Sequence, residues 1–230
     1  HQRLGPEYVT QWLECLERDY SHPSIVGWCP LNETWQVIGD RITVLDDATQ
    51  GMYLATKAMD GTRPVLDASG YSHRVRGADV FDSHDYEQDP ETFRKTHAGL
   101  ADGKPYINDS RGLEMLTDLT DWSIPYAGQP FFVSEFGGIR WNPDVQEGED
   151  SWGYGNQPES LEAFYDRFEG LVSVLLDDPN MFGYCYTQLT DVYQEQNGIY
   201  SFDRSAKFDS ARLRAAQARA AAIELIHQVS

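Results

Sequence analysis

The sequence predicts an α/β protein, a parallel sheet covered by helices, and three observations predict it. Short, nearly continuous apolar runs alternate along the chain with segments of helical periodicity. The runs are apolar on both sides of the pleat, as strands buried on both faces are. Each run turns polar at its C-terminal end: Asn32 and Glu33, Asp67, His84 and Asp85, Glu135, Gln188 and Asp191. α/β barrels and open α/β sheets place their sites at those ends.

The elements follow in order. From Glu7 to Asp19, Tyr8, Val9, Trp12, Leu13 and Leu16 recur at helical spacing, and Pro23 closes the segment. IVGWCPLNE, residues 25–33, reads as the first strand. Residues 41–59, with Ile42, Leu45, Tyr53, Leu54, Ala55 and Ala58, are helical in part, and TRPVLDASG supplies the second strand. ADVFDSHDYEQDP begins as a third strand, with a helix over 90–99 behind it. GQPFFVSEFGG is the strongest strand, because Phe131, Phe132 and Val133 stand between turn formers. Residues 136–158 form a long loop rich in Gly, Trp and Asp, and long loops inside a compact domain are usually functional. ESLEAFYDRFEGLVSVLLDD is an amphipathic helix, MFGYCYTQLTD a fifth strand, and the alanine-rich ARLRAAQARAAAIELIHQ a continuous final helix. No repeat, low-complexity tract or linker divides residues 1–230, so a single domain is expected.

Composition narrows the partners. With 40% hydrophobic and 13% aromatic residues, the 230-residue chain can bury a sizeable core. Its 18 basic and 37 acidic residues give a formal charge of -19, which repels polyanions and argues against nucleic acid or an anionic membrane surface as partner. No run approaches the roughly 18 apolar residues of a membrane helix. Cys15, Cys29 and Cys185 lie far apart without CxxC spacing, so neither a zinc site nor a disulfide framework is suggested. Cys29 and Cys185 sit in apolar runs, where a free thiol acts as a small buried hydrophobe, and the set fits a reducing, cytoplasmic compartment. The chain lacks an initiator methionine and enters a helical pattern almost at once, so a preceding region is expected.

Glu33 and Glu135 carry the chemistry. Each closes a buried strand, so in one sheet both carboxylates would project the same way. Retaining glycosidases use such a pair, one carboxylic acid protonating the leaving oxygen and a second, about 5 to 5.5 Å away, attacking the anomeric carbon. Burial or a negative neighbour keeps the acid protonated, and hydrogen-bond donors keep the nucleophile ionised. Asn32 could offer an amide to a sugar hydroxyl. The alternative is that Glu33 caps a loop or pairs with an arginine.

The residues also resemble a known family. RDYSHPSIVGWCPLNE resembles the acid/base segment of glycoside hydrolase family 2, the family of β-galactosidases, β-glucuronidases and β-mannosidases. PFFVSEFGG resembles its nucleophile segment, and GYCYTQLTDVYQEQNGIYSFDRSAKFD is similar to its closing strand and loop. The resemblance implies a (β/α)8 TIM barrel, incomplete in this chain, with Glu33 ending the fourth strand as general acid/base and Glu135 ending the seventh as nucleophile. It implies a β-galactosidase-like enzyme acting on a carbohydrate, without cofactor or metal. Asn32 matches the asparagine expected to bind the sugar 2-hydroxyl. His84 and Tyr86 lie where relatives place a residue that bonds the nucleophile or lines the sugar site, and which of the two does so stays open. Asp67, Trp35, Trp141 and Trp152 are candidates for sugar contact, loop packing being the alternative for each tryptophan.

Two departures qualify the likeness. Where many relatives carry a tryptophan on the last strand, this chain reads Tyr184, Cys185, Tyr186, so Tyr186 is the candidate to stack on the sugar and no particular sugar is carried over. The match also begins in the helix before strand four, so strands one to three and the upstream β-sandwich domains would be absent. Five staves alone would leave unpaired edges and a weakly stable, poorly active piece. Two further readings remain: a carbohydrate-binding barrel without turnover, and a metal-dependent hydrolase using His84 with Asp82 and Asp85.

Overall fold

The computed structural model describes residues 6–34, 43–71, 73–108, 123–144 and 150–226. Trp35, the start of the 41–59 segment, part of the 136–158 loop and the last residues of the final helix lie outside them. The described residues fall into two compact units, one within 1–84 and 107–131, the other within 85–106 and 132–230.

In the first unit, helix α1 (Pro6–Asp19) opens on a proline, whose missing N–H is not needed in a first turn. Its Leu16 is fully buried against Trp28, Tyr53, Val65, Val75 and Ala78, with Trp12, Leu13 and Ile25 packed around them. Helix α2 (Thr43–Met59) contributes Met52 to a second cluster with Leu31 and Ala68. The two predicted strands beneath these helices pair in parallel, Trp28 bridging Val65 and Asn32 bridging Ser69. The Trp28 N–H donates to the Pro64 carbonyl at 3.0 Å and the Ser69 N–H to the Leu31 carbonyl at 2.8 Å. Between these bonds stands Pro30, which has no N–H to give, so the pairing survives as separate bridges rather than one continuous ladder.

Strand β1 (Phe81–Asp85) is buried at all five residues although four are polar; Asp82, His84 and Asp85 find partners inside the protein, whereas the Ser83 hydroxyl finds none among the described residues. In the first unit its start lies beside the start of strand β2 (Phe131–Gly137), the Phe81 N–H donating to the Pro130 carbonyl at 3.0 Å.

In the second unit, Asp89 caps helix α3 (Pro90–His97) by accepting the Thr92 N–H at 2.8 Å, and Ser160 caps helix α4 (Leu161–Asp177) by accepting the Ala163 N–H at 3.1 Å. Phe164, Phe168, Leu171 and Leu175 of α4 are buried, and the helix packs on α3, on strand β3 (Met181–Thr187) and on helix α5 (Ser210–Gln217). β2 and β3 are neighbours in a parallel sheet.

Two expectations change here. β3 is not buried on both faces: Phe182 and Cys185 are exposed, and among the described residues the strand is hydrogen-bonded to β2 alone. The alanine-rich end is not one helix. α5 stops at Gln217 and α6 (Ala222–Ile226) starts anew, with the Glu224 carboxylate accepting the Ala221 N–H at 2.9 Å and the Arg219 guanidinium reaching the Ser173 carbonyl and Asp177. Alanine favours helix but packs little, so these contacts set the break.

Candidate active site

Glu33 ends the first parallel stretch. Its N–H donates to the Ser69 carbonyl at 2.8 Å, and its backbone is left-handed, with φ +47°, a conformation few residues other than glycine adopt. Its Oε1 lies 2.8 Å from Nδ1 of His84. His84 is itself fixed: Nε2 is 2.7 Å from the Ser69 hydroxyl, while its backbone N–H and C=O both bond the Asn108 side-chain amide. The His84 side chain is 1% exposed and that of Glu33 36%, so a buried imidazole holds a carboxylate that still reaches solvent. A neutral imidazole satisfies both contacts, donating from Nδ1 to Glu33 and accepting the Ser69 O–H at Nε2. Gly70 (φ +81°) covers the ring from one side, and Tyr71 meets it edge-on at 5.9 Å. Asn32 is exposed beside Glu33.

Asp67 is a correction. It is fully buried and both oxygens are taken: Oδ1 by the Ala68 N–H and His73 Nδ1, each at 2.9 Å, Oδ2 by the N–H groups of Arg74 and Val75 at 2.7 and 2.9 Å. A sugar hydroxyl finds no oxygen there.

The second unit carries Glu135 on β2, half-buried, with the Tyr86 hydroxyl donating to its Oε2. Of His84 and Tyr86, the tyrosine bonds Glu135 and the histidine Glu33. Tyr86 lies flat on Tyr154, ring centroids 3.4 Å apart, and the Gln88 side chain ties the Tyr86 and Gly137 carbonyls together. Burial, and then the bond to Glu135, push the Tyr86 phenol far above its usual range, so it stays a donor.

Gly137 and Gly138 follow with positive φ, and a Cβ on either would meet a ring at 2.4 Å, Tyr186 in the first case and Tyr154 in the second. The Tyr186 hydroxyl accepts the Ile139 N–H at 3.1 Å, and its ring packs on Phe136 and Phe168. Burial pushes its phenol up. Tyr186 therefore braces the turn behind Glu135. Trp141 packs on Phe164 and Phe208, which is the loop-packing alternative, whereas Trp152 is exposed, edge-on to Tyr154.

Asp82 and Asp85, read with His84 as metal ligands, are engaged elsewhere: Asp82 by the Gly70 N–H and His73, Asp85 by His97 and the Glu87 N–H. Sequence reasoning passed over Ser69, Asn108 and Tyr154. Only Ser69, at the polar end of a predicted strand, left a signal.

The family model described as "Glycosyl hydrolases family 2, TIM barrel domain" matches residues 2–123, more than half of the chain. The chain belongs to glycosyl hydrolase family 2. The match spans Glu33 and His84 and stops before Glu135. No curated protein matches the chain. Among solved structures it is similar to the β-glucuronidase of Bacteroides uniformis, with TM-score 0.61 and 17% identity over 94% of this chain and 26% of that one. It is similar to the Bifidobacterium dentium β-glucuronidase complexed with coumarin-3-O-glucuronide, with TM-score 0.59 and 19% identity over 92% of this chain and 33% of that one. A family 2 β-galacturonidase from Eisenbergiella tayi, bound to galacturonate, gives TM-score 0.57 and 16% identity over 94% and 38%. At these identities the likeness is one of fold. The chain spans about a third of the length of these family 2 relatives.

Proposed function

We propose that this chain carries the catalytic carboxylates of a retaining β-glycosidase acting on a terminal β-linked sugar, with Glu33 as general acid/base and Glu135 as nucleophile. One observation carries the reading. His84 and Tyr86, two residues apart in the chain, each hold one glutamate, and they hold them differently. A phenol that keeps its proton is a permanent donor and favours the ionised carboxylate a nucleophile needs. An imidazole beside Glu33 can follow a carboxyl group that gains and loses a proton in each cycle.

In the first step Glu33 gives its proton to the glycosidic oxygen as that bond breaks, and a Glu135 oxygen bonds the anomeric carbon. In the second, Glu33 takes a proton from water, whose oxygen displaces Glu135 from that carbon. In this reading Asn32, exposed beside Glu33, offers its amide to the sugar 2-hydroxyl. Double displacement requires the two carboxyl groups about 5 to 5.5 Å apart. The solved relatives act on uronides, and the family resemblance reaches β-galactosides as well, so nitrophenyl β-galactoside, β-glucuronide and β-mannoside form the first panel.

Glu135→Ala should abolish turnover in the full-length protein, and a 2-fluoro-glycoside should label Glu135 covalently. Glu33→Gln should lower kcat/KM for substrates with poor leaving groups by about 10²- to 10⁴-fold, yet spare kcat/KM for dinitrophenyl glycosides, whose leaving group needs little protonation. Parental activity in the Glu135→Ala protein would end the proposal.

A further inference from the structure

Behind Glu33, in the first unit, lies a buried group that the reaction itself does not use. His73 is 1% exposed and stands between two carboxylates that are fully buried. Its Nδ1 is 2.9 Å from Asp67 Oδ1, and its Nε2 is 3.0 Å from both Asp82 Oδ1 and the Asp82 backbone carbonyl, acceptors all. A neutral imidazole has one N–H and can donate on only one side, so serving both takes the doubly protonated ring. The backbone around it is tied as well: the His73 N–H donates to the Ser123 hydroxyl at 3.1 Å, its carbonyl accepts the Ile124 N–H at 2.8 Å, and the ring lies 4.0 Å from that of Phe81.

The clamp leads to the site. Asp82 accepts the Gly70 N–H on both oxygens, at 3.1 Å each. Gly70 covers His84 so closely that a Cβ would sit 2.5 Å from its Nδ1. The preceding residue, Ser69, gives its hydroxyl to His84 and its carbonyl to the Glu33 N–H. From His73 to the Glu33 carboxylate the path is thus imidazolium, carboxylate, amide, serine and the His84 imidazole, each step a close polar contact or a single residue of chain.

We propose that His73, clamped between Asp67 and Asp82, is a positioning residue that sets Gly70 and Ser69 and through them aims His84 and the Glu33 carboxylate. The charged groups facing it are Asp67, from the second parallel stretch, and Asp82, from β1. Burial works against its charge, but the hydrogen bonds to Asp67 and Asp82 outweigh it and push the imidazole up to about 10, so the clamp is intact at neutral pH.

The inference rests on Glu33 being the acid/base, and the experiment separates the two. In the full-length protein, kcat/KM is measured for a dinitrophenyl and a plain phenyl β-glycoside in the parent, Glu33→Gln, His73→Gln and Ser69→Ala proteins. If Glu33→Gln does not lose the phenyl substrate selectively, the acid/base reading fails, whatever His73 does. If it does, His73→Gln should lower the phenyl substrate by about 10- to 100-fold, a part of what a general acid supplies, and the dinitrophenyl substrate by less than about 3-fold. Equal losses on both substrates, or none, overturn the proposal. Should His73→Gln not fold, Ser69→Ala decides, because it leaves the clamp whole and cuts its link to His84: the same selective loss supports the path, and an equal loss or none overturns it.

Discussion

Gly70 cannot carry a side chain. Its φ of +81° lies where L-residues are strained, and a Cβ would stand 2.5 Å from the His84 ring, well inside contact distance. Both effects act on the residue that holds Glu33. Gly70→Ala should therefore cost about 1–2 kcal/mol from the backbone alone, before the clash with His84 is counted, when measured by urea unfolding. Because the displaced ring is the partner of Glu33, turnover should fall with it. A variant as stable and as active as the parent would show that Gly70 does not press on His84. Glu33 bears the same backbone strain with a full side chain, φ +47°, and keeps it because its N–H is anchored on Ser69 and its carboxylate on His84. Strain of this kind persists only where the surroundings over-determine the conformation.

Helix α4 does for the second unit what Leu16 and Trp28 do for the first. Phe168, 1% exposed, packs its ring 5.1 Å from Tyr186, the residue that braces the turn behind Glu135. Phe168→Ala should cost about 3–5 kcal/mol in urea unfolding, and a loss under about 1 kcal/mol would mean the site behind Tyr186 can collapse around the gap. The helix itself was plain in the sequence, as were α1 and α3, because a stripe of apolar residues between a cap and a stop is a local signal. The first two strands were located correctly but not their interruption, since Pro30 acts on a partner far along the chain. The alanine-rich end was read as one helix because propensity carries no knowledge of Arg219 and Glu224. At the site, the polar strand ends offered Glu33 and Glu135 as the pair and Asp67 as a further candidate for sugar contact, since a carboxylate after a buried strand looks alike in sequence whether it faces solvent or, as Asp67 does, an internal histidine. The partners of the two glutamates stand 51 and 49 residues away, a pairing that only the folded chain makes.

For the whole molecule, two buried groups, one carboxylate and one imidazole, tie stability to pH at opposite ends of the scale. Asp60 is buried, which alone would raise its carboxyl, but hydrogen bonds from Thr62, Trp28 and Arg63 hold it well below the usual carboxylate range. Its folded form releases the proton more readily than the unfolded chain, so its contribution is present above about pH 3.8 and is lost as the pH falls below that. His73 acts the other way. Folded, it keeps its proton up to about pH 10, and unfolded only to about 6.5, so between these values the native state binds the extra proton and stability falls as pH rises. Its contribution is complete below about 6.5 and gone above about 10. Urea midpoints measured from pH 3 to 10 should show a plateau from about pH 4 to 6.5, with a decline on each side. His73→Gln should be less stable on the plateau and should flatten the alkaline decline, because no proton is left there to lose. If the variant and the parent decline with the same slope from pH 7 to 10, the imidazole between Asp67 and Asp82 is not the group that titrates, and the clamp behind Glu33 holds without its charge.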